Sequence, residues 1–242
     1  MWWQPGRSLG DLAIPFLLSI VKRAGFIGID LTSSPSKPTA CVALGDELHL
    51  DWFGFCCGDG CIVEAVEYHH PRLVAIDSPL SLPKGLCCLE ESCPCQPLSS
   101  EKGRMCEREL SRRGISCYYT TKRSIIKDMV YRAISLKEEM TVRGYRVIEV
   151  YPYATKVQLF GRHLPRKTTP AGIDFLRERI GGLMPHLVPH LQAFSHDLCD
   201  ALLAAYTAYL HGAAKAENIG DPVEGVIVIP ASLVCGKFAE FH

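Results

Sequence analysis

Three stretches are apolar almost throughout, yet each holds one carboxylate. They are Phe26 to Leu31 with Asp30, the run RLVAID with Asp77, and YRVIEVYP with Glu149. Apolar runs of this length without polar alternation read as strands covered on both faces, so they belong to a sheet with helices on either side. A lone carboxylate in such a strand is costly unless a cation lies beside it. A turn at Ser78-Pro79 accounts for Asp77 alone, as a cap on the strand exit. Three such residues, in strands expected to be neighbours, ask for a common explanation.

The rest of the chain fits the same frame. AGFIGIDLTSSPSKPTACVAL reads as strand, Ser/Pro-rich turn, strand, and GDELHLDWFGF follows a Gly-Asp turn with alternating apolar positions. Residues 61–70 form a short helix closed by Pro71. Helical stretches fall near 101–113, 122–143, 170–182 and 195–211, and VEGVIVIP is a final short strand. Three meandering strands, then alternating helices and strands, define an α/β domain with a mixed sheet. Its core is expected at 25–80 and 146–230, with 81–145 as a cysteine-rich helical insertion. The whole of 25–242 reads as a single domain.

Composition excludes some classes. Of the 242 residues 48% are hydrophobic, which supplies a core, and 26 Lys or Arg balance 26 Asp or Glu. Net charge therefore exerts no global pull toward nucleic acid or membrane, and any electrostatic footprint is local. Twelve cysteines in a chain too long to need disulfide staples read as reduced thiols in a cytoplasmic protein. Leu12 to Val21 is apolar but too short to span a bilayer. Lys22 and Arg23 stand where a signal-peptide cleavage site would be. Residues 1–24 are expected to be an extension upstream of the domain, and no membrane association is expected.

The segment SHDLCDALLAAYTAYLHG (195–212) has helical periodicity and opens with two more carboxylates, Asp197 and Asp200. Positions three apart share a helix face. Asp197 suits the positive helix N-terminus behind a Ser195 N-cap. Asp200 lies deeper, directly before an apolar run, where capping does not explain it. Clustered carboxylates suit Mg²⁺ or Mn²⁺, hard cations that prefer oxygen ligands. Two such ions about 4 Å apart can activate water and stabilise a leaving oxygen in phosphodiester cleavage.

GFIGIDLTSS, LVAIDSPLSLP, CERELSRRGI, VIEVYPYA and HDLCDALLAAYTA, taken together and in order, resemble the DUF429 family, predicted nucleases of the ribonuclease H-like superfamily. The resemblance covers about 25–230. The late acidic helix is also similar to that of RuvC-type Holliday junction resolvases. The resemblance implies a five-stranded mixed sheet in the order 3-2-1-4-5 flanked by helices. It implies metal-ligating roles for Asp30, Asp77, Asp197 and Asp200. Glu149 falls inside a family motif and joins the acidic set, and Glu64 and Glu67 are candidates for a further carboxylate on the first helix. Hydrolysis leaving a 5′-phosphate and a 3′-hydroxyl is the usual chemistry of that superfamily.

The insertion adds two features. Lys102 to Arg132 holds nine Lys or Arg against three Asp or Glu, interleaved with Tyr118, Tyr119 and Tyr131. Such a stretch suits a phosphate backbone and unstacked bases, or else a solvated helix pair. Arg108, Arg112, Lys122 and Arg123 are the nucleic-acid candidates. CCLEESCPC places Cys87, Cys88, Cys93 and Cys95 within nine residues, with Cys106 following. Thiolates this close suit zinc or an iron–sulfur cluster, although no C-x-x-C pair occurs; buried unreactive thiols and a disulfide are the alternatives. GRHLPRKT (161–168) is a basic loop suited to phosphate, and His196 beside Asp197 suits proton transfer or ligand orientation.

The leading expectation is a divalent-metal-dependent nuclease acting on DNA or RNA. An actin-like ATPase is the alternative enzyme, because GIDLTSSPS resembles that superfamily's phosphate-binding hairpin. That alternative lacks a second core and a second glycine-rich loop. A non-catalytic nucleic-acid or metal-binding module on the same fold is the third reading. The sequence carries no signal for an oligomeric state.

Overall fold

A computed structural model describes residues 25–167 and 169–232. The expected extension at 1–24 lies outside the described residues. Strands β1 (Phe26–Asp30), β2 (Thr39–Leu44) and β3 (Leu50–Cys56) form the meander. Helix α1 (Asp59–His69) leads to β4 (Leu73–Asp77). After a long irregular segment come α2 (Met105–Arg112) and α3 (Lys127–Val142). Then follow β5 (Val147–Val150), α4 (Pro152–Phe160), α5 (Pro170–Leu183), a 3₁₀ turn (Pro185–Leu187), α6 (Val188–Leu191) and α7 (His196–Gly212). A closing hairpin pairs β6 (Ala216–Asp221) with β7 (Gly225–Pro230).

The strands make one mixed sheet in the order β3-β2-β1-β4-β5-β7-β6. The five-stranded sheet is therefore corrected to seven strands. The run 3-2-1-4-5 is present, and the β7–β6 hairpin extends it beyond β5. The extension rests on a narrow contact, since β5 pairs with β7 at Val150↔Val228. β6 escaped the sequence reading because it is an edge strand, AENIGD, in which Ile219 is the one buried residue. An edge strand with one covered residue has no apolar run to read.

Alternation along the strands divides the core. Val42 and Leu44 face α4, α5 and α7, packing with Leu159, Leu176, Ile180, Phe194 and Leu202. Ile27, Ile29, Val74 and Ile76 face the other way, onto Ile62, Val63 and Val66 of α1 and Ala133, Leu136 and Met140 of α3. Helix α7 is buried nearly all round, with twelve of its residues inside, as expected of a helix sandwiched between a sheet and further helices. α2 covers the far end of the sheet, packing Cys106 and Leu110 against Ile219, Ile227 and Ile229. Among the described residues no helix is long and apolar enough to cross a membrane.

Candidate active site

β1 and β4 are parallel neighbours paired at Ile29↔Ile76, one residue before their carboxylates. Asp30 and Asp77 therefore leave adjacent strand ends side by side and on the same face. The chain departs from β1 toward β2 and from β4 toward β5, on opposite sides. That is a switch point, where open α/β sheets form a crevice beyond the carboxyl ends of their strands.

The face is the one covered by α7. Gly28 precedes Asp30 by two residues, and a Cβ built on it would lie 2.0 Å from the Ala201 carbonyl oxygen and 2.3 Å from the Ala205 nitrogen. The missing side chain lets α7 lie directly on the strand backbone. Ala75 of β4 packs with Ala204 and Ala208 of the same helix. Close approach at Gly28 brings the first turns of α7, and with them Asp200, over the two strand ends. Ser195 caps this helix, accepting from the Leu198 N–H at 3.2 Å.

Asp30, Asp77 and Asp200 thus meet, and the three interact electrostatically. Asp197 sits at the rim, about half-exposed, 3.3 Å from Lys167 Nζ. Two lysines enter the site. Lys156 of α4 is buried and donates to Asp200 Oδ1 at 2.8 Å, and Lys167 donates to Asp200 Oδ2 at 3.1 Å. The carboxylates of Asp30 and Asp77 form no hydrogen bond or ion pair among the described residues. Four carboxylates thus face two lysines, which leaves two negative charges if all are ionised.

In the absence of a further cation the excess is met by protons. Burial, and then the Asp200 charge, push Asp30 up to about 7, against the pull of Lys167 and Lys156. Burial, then Asp30 and Asp200, push Asp77 well above the carboxylate range. Burial opposes the Lys167 charge, but Asp200, Asp30 and Asp197 outweigh it and raise its pKa. His196 borders the group with both ring nitrogens buried and without a hydrogen-bond partner among the described residues. Burial keeps its pKa below the ordinary histidine value.

Glu149 departs from the acidic set. It aligns with Ile76, not Asp77, so period-two alternation turns it to the opposite face. There it accepts two bonds from Arg104, at 2.7 and 2.6 Å, and one from the Leu80 N–H at 2.8 Å. Arg104 is fully buried and also donates from Nε to Glu107 at 2.9 Å. Glu107 takes two further bonds from Thr120. Glu149 is thus the anchor of the insertion on the sheet, its charge offset by an arginine. Glu64 and Glu67 lie on α1, which packs on the face away from α7; Glu67 is paired with Arg143 at 2.6 Å.

The basic candidates sit together on the insertion. Lys122 and Arg123, with Lys102, line a cleft of about 420 Å³. Arg108 and Arg112 line the adjoining shallow concavity and share Glu101, at 3.1 and 3.7 Å. Cys117 and Tyr118 border a cavity of about 70 Å³ that Asp77 also lines, while Thr120 and Thr121 border the basic cleft. The segment 117–123 therefore runs from the acidic site to the basic surface.

Cys87, Cys88, Cys93 and Cys95 are gathered with their sulfurs within 4.8 Å of one another, a group able to hold a metal ion. Cys106 is not among them. It lies on the buried face of α2, where burial pushes its thiol up to about 12.

The two lysines were the residues missed. Lys156 is a lone charge in the otherwise weakly polar run YATKVQLF, the same kind of signal that singled out Asp200. Lys167 belongs to the basic loop already noted. Residues 28–224 match the model of a family described as a protein of unknown function, DUF429. No curated protein matches the chain.

Proposed function

The chain belongs to the DUF429 family, and from that premise we propose that it is a divalent-metal-dependent nuclease on a ribonuclease H-like core, the strands β3-β2-β1-β4-β5. One observation carries this reading. Asp30 and Asp77 stand side by side at the strand ends, their carboxylates without hydrogen-bonded or ion-paired partners among the described residues, in a site short of two positive charges. The donor set is all oxygen, and the missing charge is that of one Mg²⁺ or Mn²⁺. Asp30 and Asp77 would hold the cation, with Asp200 and Asp197 completing the acidic surround. When bound, such an ion supplies a Lewis acid toward a phosphodiester oxygen and a more acidic water.

The chain's own residues do the rest. Lys156 is fixed on Asp200 and fills a place where a second cation would otherwise be needed. Lys167, at the mouth, presents a full positive charge to an incoming phosphate. His196 is held neutral beside the acidic group and can take up a proton at its unprotonated ring nitrogen. Lys122, Arg123, Arg108 and Arg112 bind the phosphate backbone away from the reacting bond, which positions the substrate without reading its sequence.

The test is cleavage of labelled single- and double-stranded DNA, RNA and branched DNA across a Mn²⁺ titration. Wild type is expected to cut at least one of these, and Asp30→Asn and Asp77→Asn to lose at least 100-fold of that rate. Equal cleavage by wild type and both variants overturns the proposal, as does ATP turnover with no cleavage of any substrate.

A further inference from the structure

Residues 78–104 form neither helix nor strand. Irregular segments inside a compact domain rarely exceed about 12–15 residues unless something holds them. Between residues 84 and 102 only Leu89 is buried. Burial of one side chain cannot offset the entropy of ordering so long a segment. Scattered hydrogen bonds tie it to its surroundings, among them the Leu98 N–H to the Lys84 carbonyl at 2.8 Å, the Leu89 N–H to the Tyr131 hydroxyl and Lys122 to the Cys93 carbonyl. At its centre are the four gathered thiols.

Their geometry suits a single ion. Cys87 Sγ and Cys93 Sγ are 3.6 Å apart. Tetrahedral zinc with bonds of about 2.3 Å separates its sulfurs by about 3.8 Å. A disulfide needs about 2.05 Å. In an iron–sulfur cluster the cysteines are shared among several irons, which spreads the sulfurs farther than one ion does. The two carboxylates inside the motif are engaged elsewhere. Glu90 pairs with Lys127 at 3.2 Å and accepts from Tyr131, and Glu91 faces Arg123 at 3.5 Å. That leaves an all-sulfur ligand set, the preference of a soft or borderline cation and not of Mg²⁺ or Ca²⁺.

We propose that Cys87, Cys88, Cys93 and Cys95 bind one zinc ion in a closed tetrahedral site that staples the irregular segment 78–104. Each thiol gives up its proton to solvent and forms one zinc–sulfur bond. Four protein ligands leave no open position, so the ion is structural and takes no part in hydrolysis. The staple shapes the basic cleft. Lys122 donates to the Cys93 carbonyl, and Leu86, Pro97 and Ser99 from the same segment form one wall. This site is independent of the carboxylates at the strand ends.

The full chain, purified with reductant and no chelator, is expected to retain one zinc per chain through dialysis, counted by elemental mass spectrometry. Asp30→Asn and Cys57→Ser, which alter an acidic-site residue and an exposed thiol outside the group, are expected to keep it. Cys93→Ser combined with Cys95→Ser is expected to lose it. Because that variant can fail to fold, a second measurement uses stripped wild-type protein and cobalt alone. A thiolate-to-metal band and intense tetrahedral d–d bands, saturating at one equivalent and abolished by zinc, support the site. Reduced protein that takes up neither metal overturns it. So do zinc retained by the double variant, weak octahedral cobalt spectra, and iron with acid-labile sulfide.

Discussion

In the metal-free protein Asp30 titrates at about 7, against 3.8 for an unperturbed aspartate. Between those values the folded chain binds more protons than the unfolded chain, so stability is greatest at the acid end and falls as pH rises through 7. Asp77 acts in the same direction. With chelator present, the urea midpoint of wild type is expected to fall from pH 4.5 to pH 8. Asp30→Asn removes the charge and is expected to flatten that profile. At pH 8 it is expected to stabilise the fold by about 4 kcal/mol, at about 1.4 kcal/mol per pKa unit. A wild-type midpoint that climbs across this window would remove the charge imbalance from the account. Asp30, Asp77 and Asp200 were legible because each stands in or directly before an apolar run. Glu149 gave the same signal and has a different role. A buried charge announces that a cation is needed, but not whether it is a metal ion or an arginine; Arg104 lies 45 positions away in the chain.

At the scale of elements, the pairing of α7 with β1 depends on Gly28. Gly28→Ala would drive a methyl group into the backbone of α7 at Ala201 and Ala205, and backbone cannot move aside as a side chain can. Destabilisation of about 3 kcal/mol or more is expected, read by urea denaturation, with Mn²⁺-dependent cleavage falling as Asp200 is displaced. A neutral substitution would mean that α7 does not seat on the strand. The apolar strands and the long amphipathic helices were readable from periodicity, and their order in the meander from the turn residues. α4 was not, because its nine residues begin at Pro152 directly after β5 and merge with that strand's apolar run. Nor was the side of the sheet each strand residue faces, which depends on register with a distant partner. That register placed Glu149 on the face of the sheet away from Asp77, and the packing of α2 on the hairpin placed Cys106 away from the other thiols.

For the whole molecule, the neutral net charge conceals a separation, with acidic groups at the strand ends and basic groups on the insertion. Under the proposed function, binding to nucleic acid therefore depends on salt through these local basic groups and not through net charge. Lys122→Ala and Arg123→Ala, each in an Asp30→Asn background to prevent cutting, are expected to weaken binding alike for all sequences. Each is expected to lower the slope of log affinity against log salt by about one, measured by fluorescence anisotropy. Unchanged slopes would take the cleft off the substrate's path. The seat of α7 on Gly28 also has a consequence in time. During synthesis, Asp30 and Asp77 leave the ribosome long before the helix that roofs them. Until residue 212 has emerged, the nascent chain has half a pocket, with Asp30 and Asp77 in place and Asp200 still to be set over them. The uncovered slot along β1 meanwhile offers bare strand to chaperones.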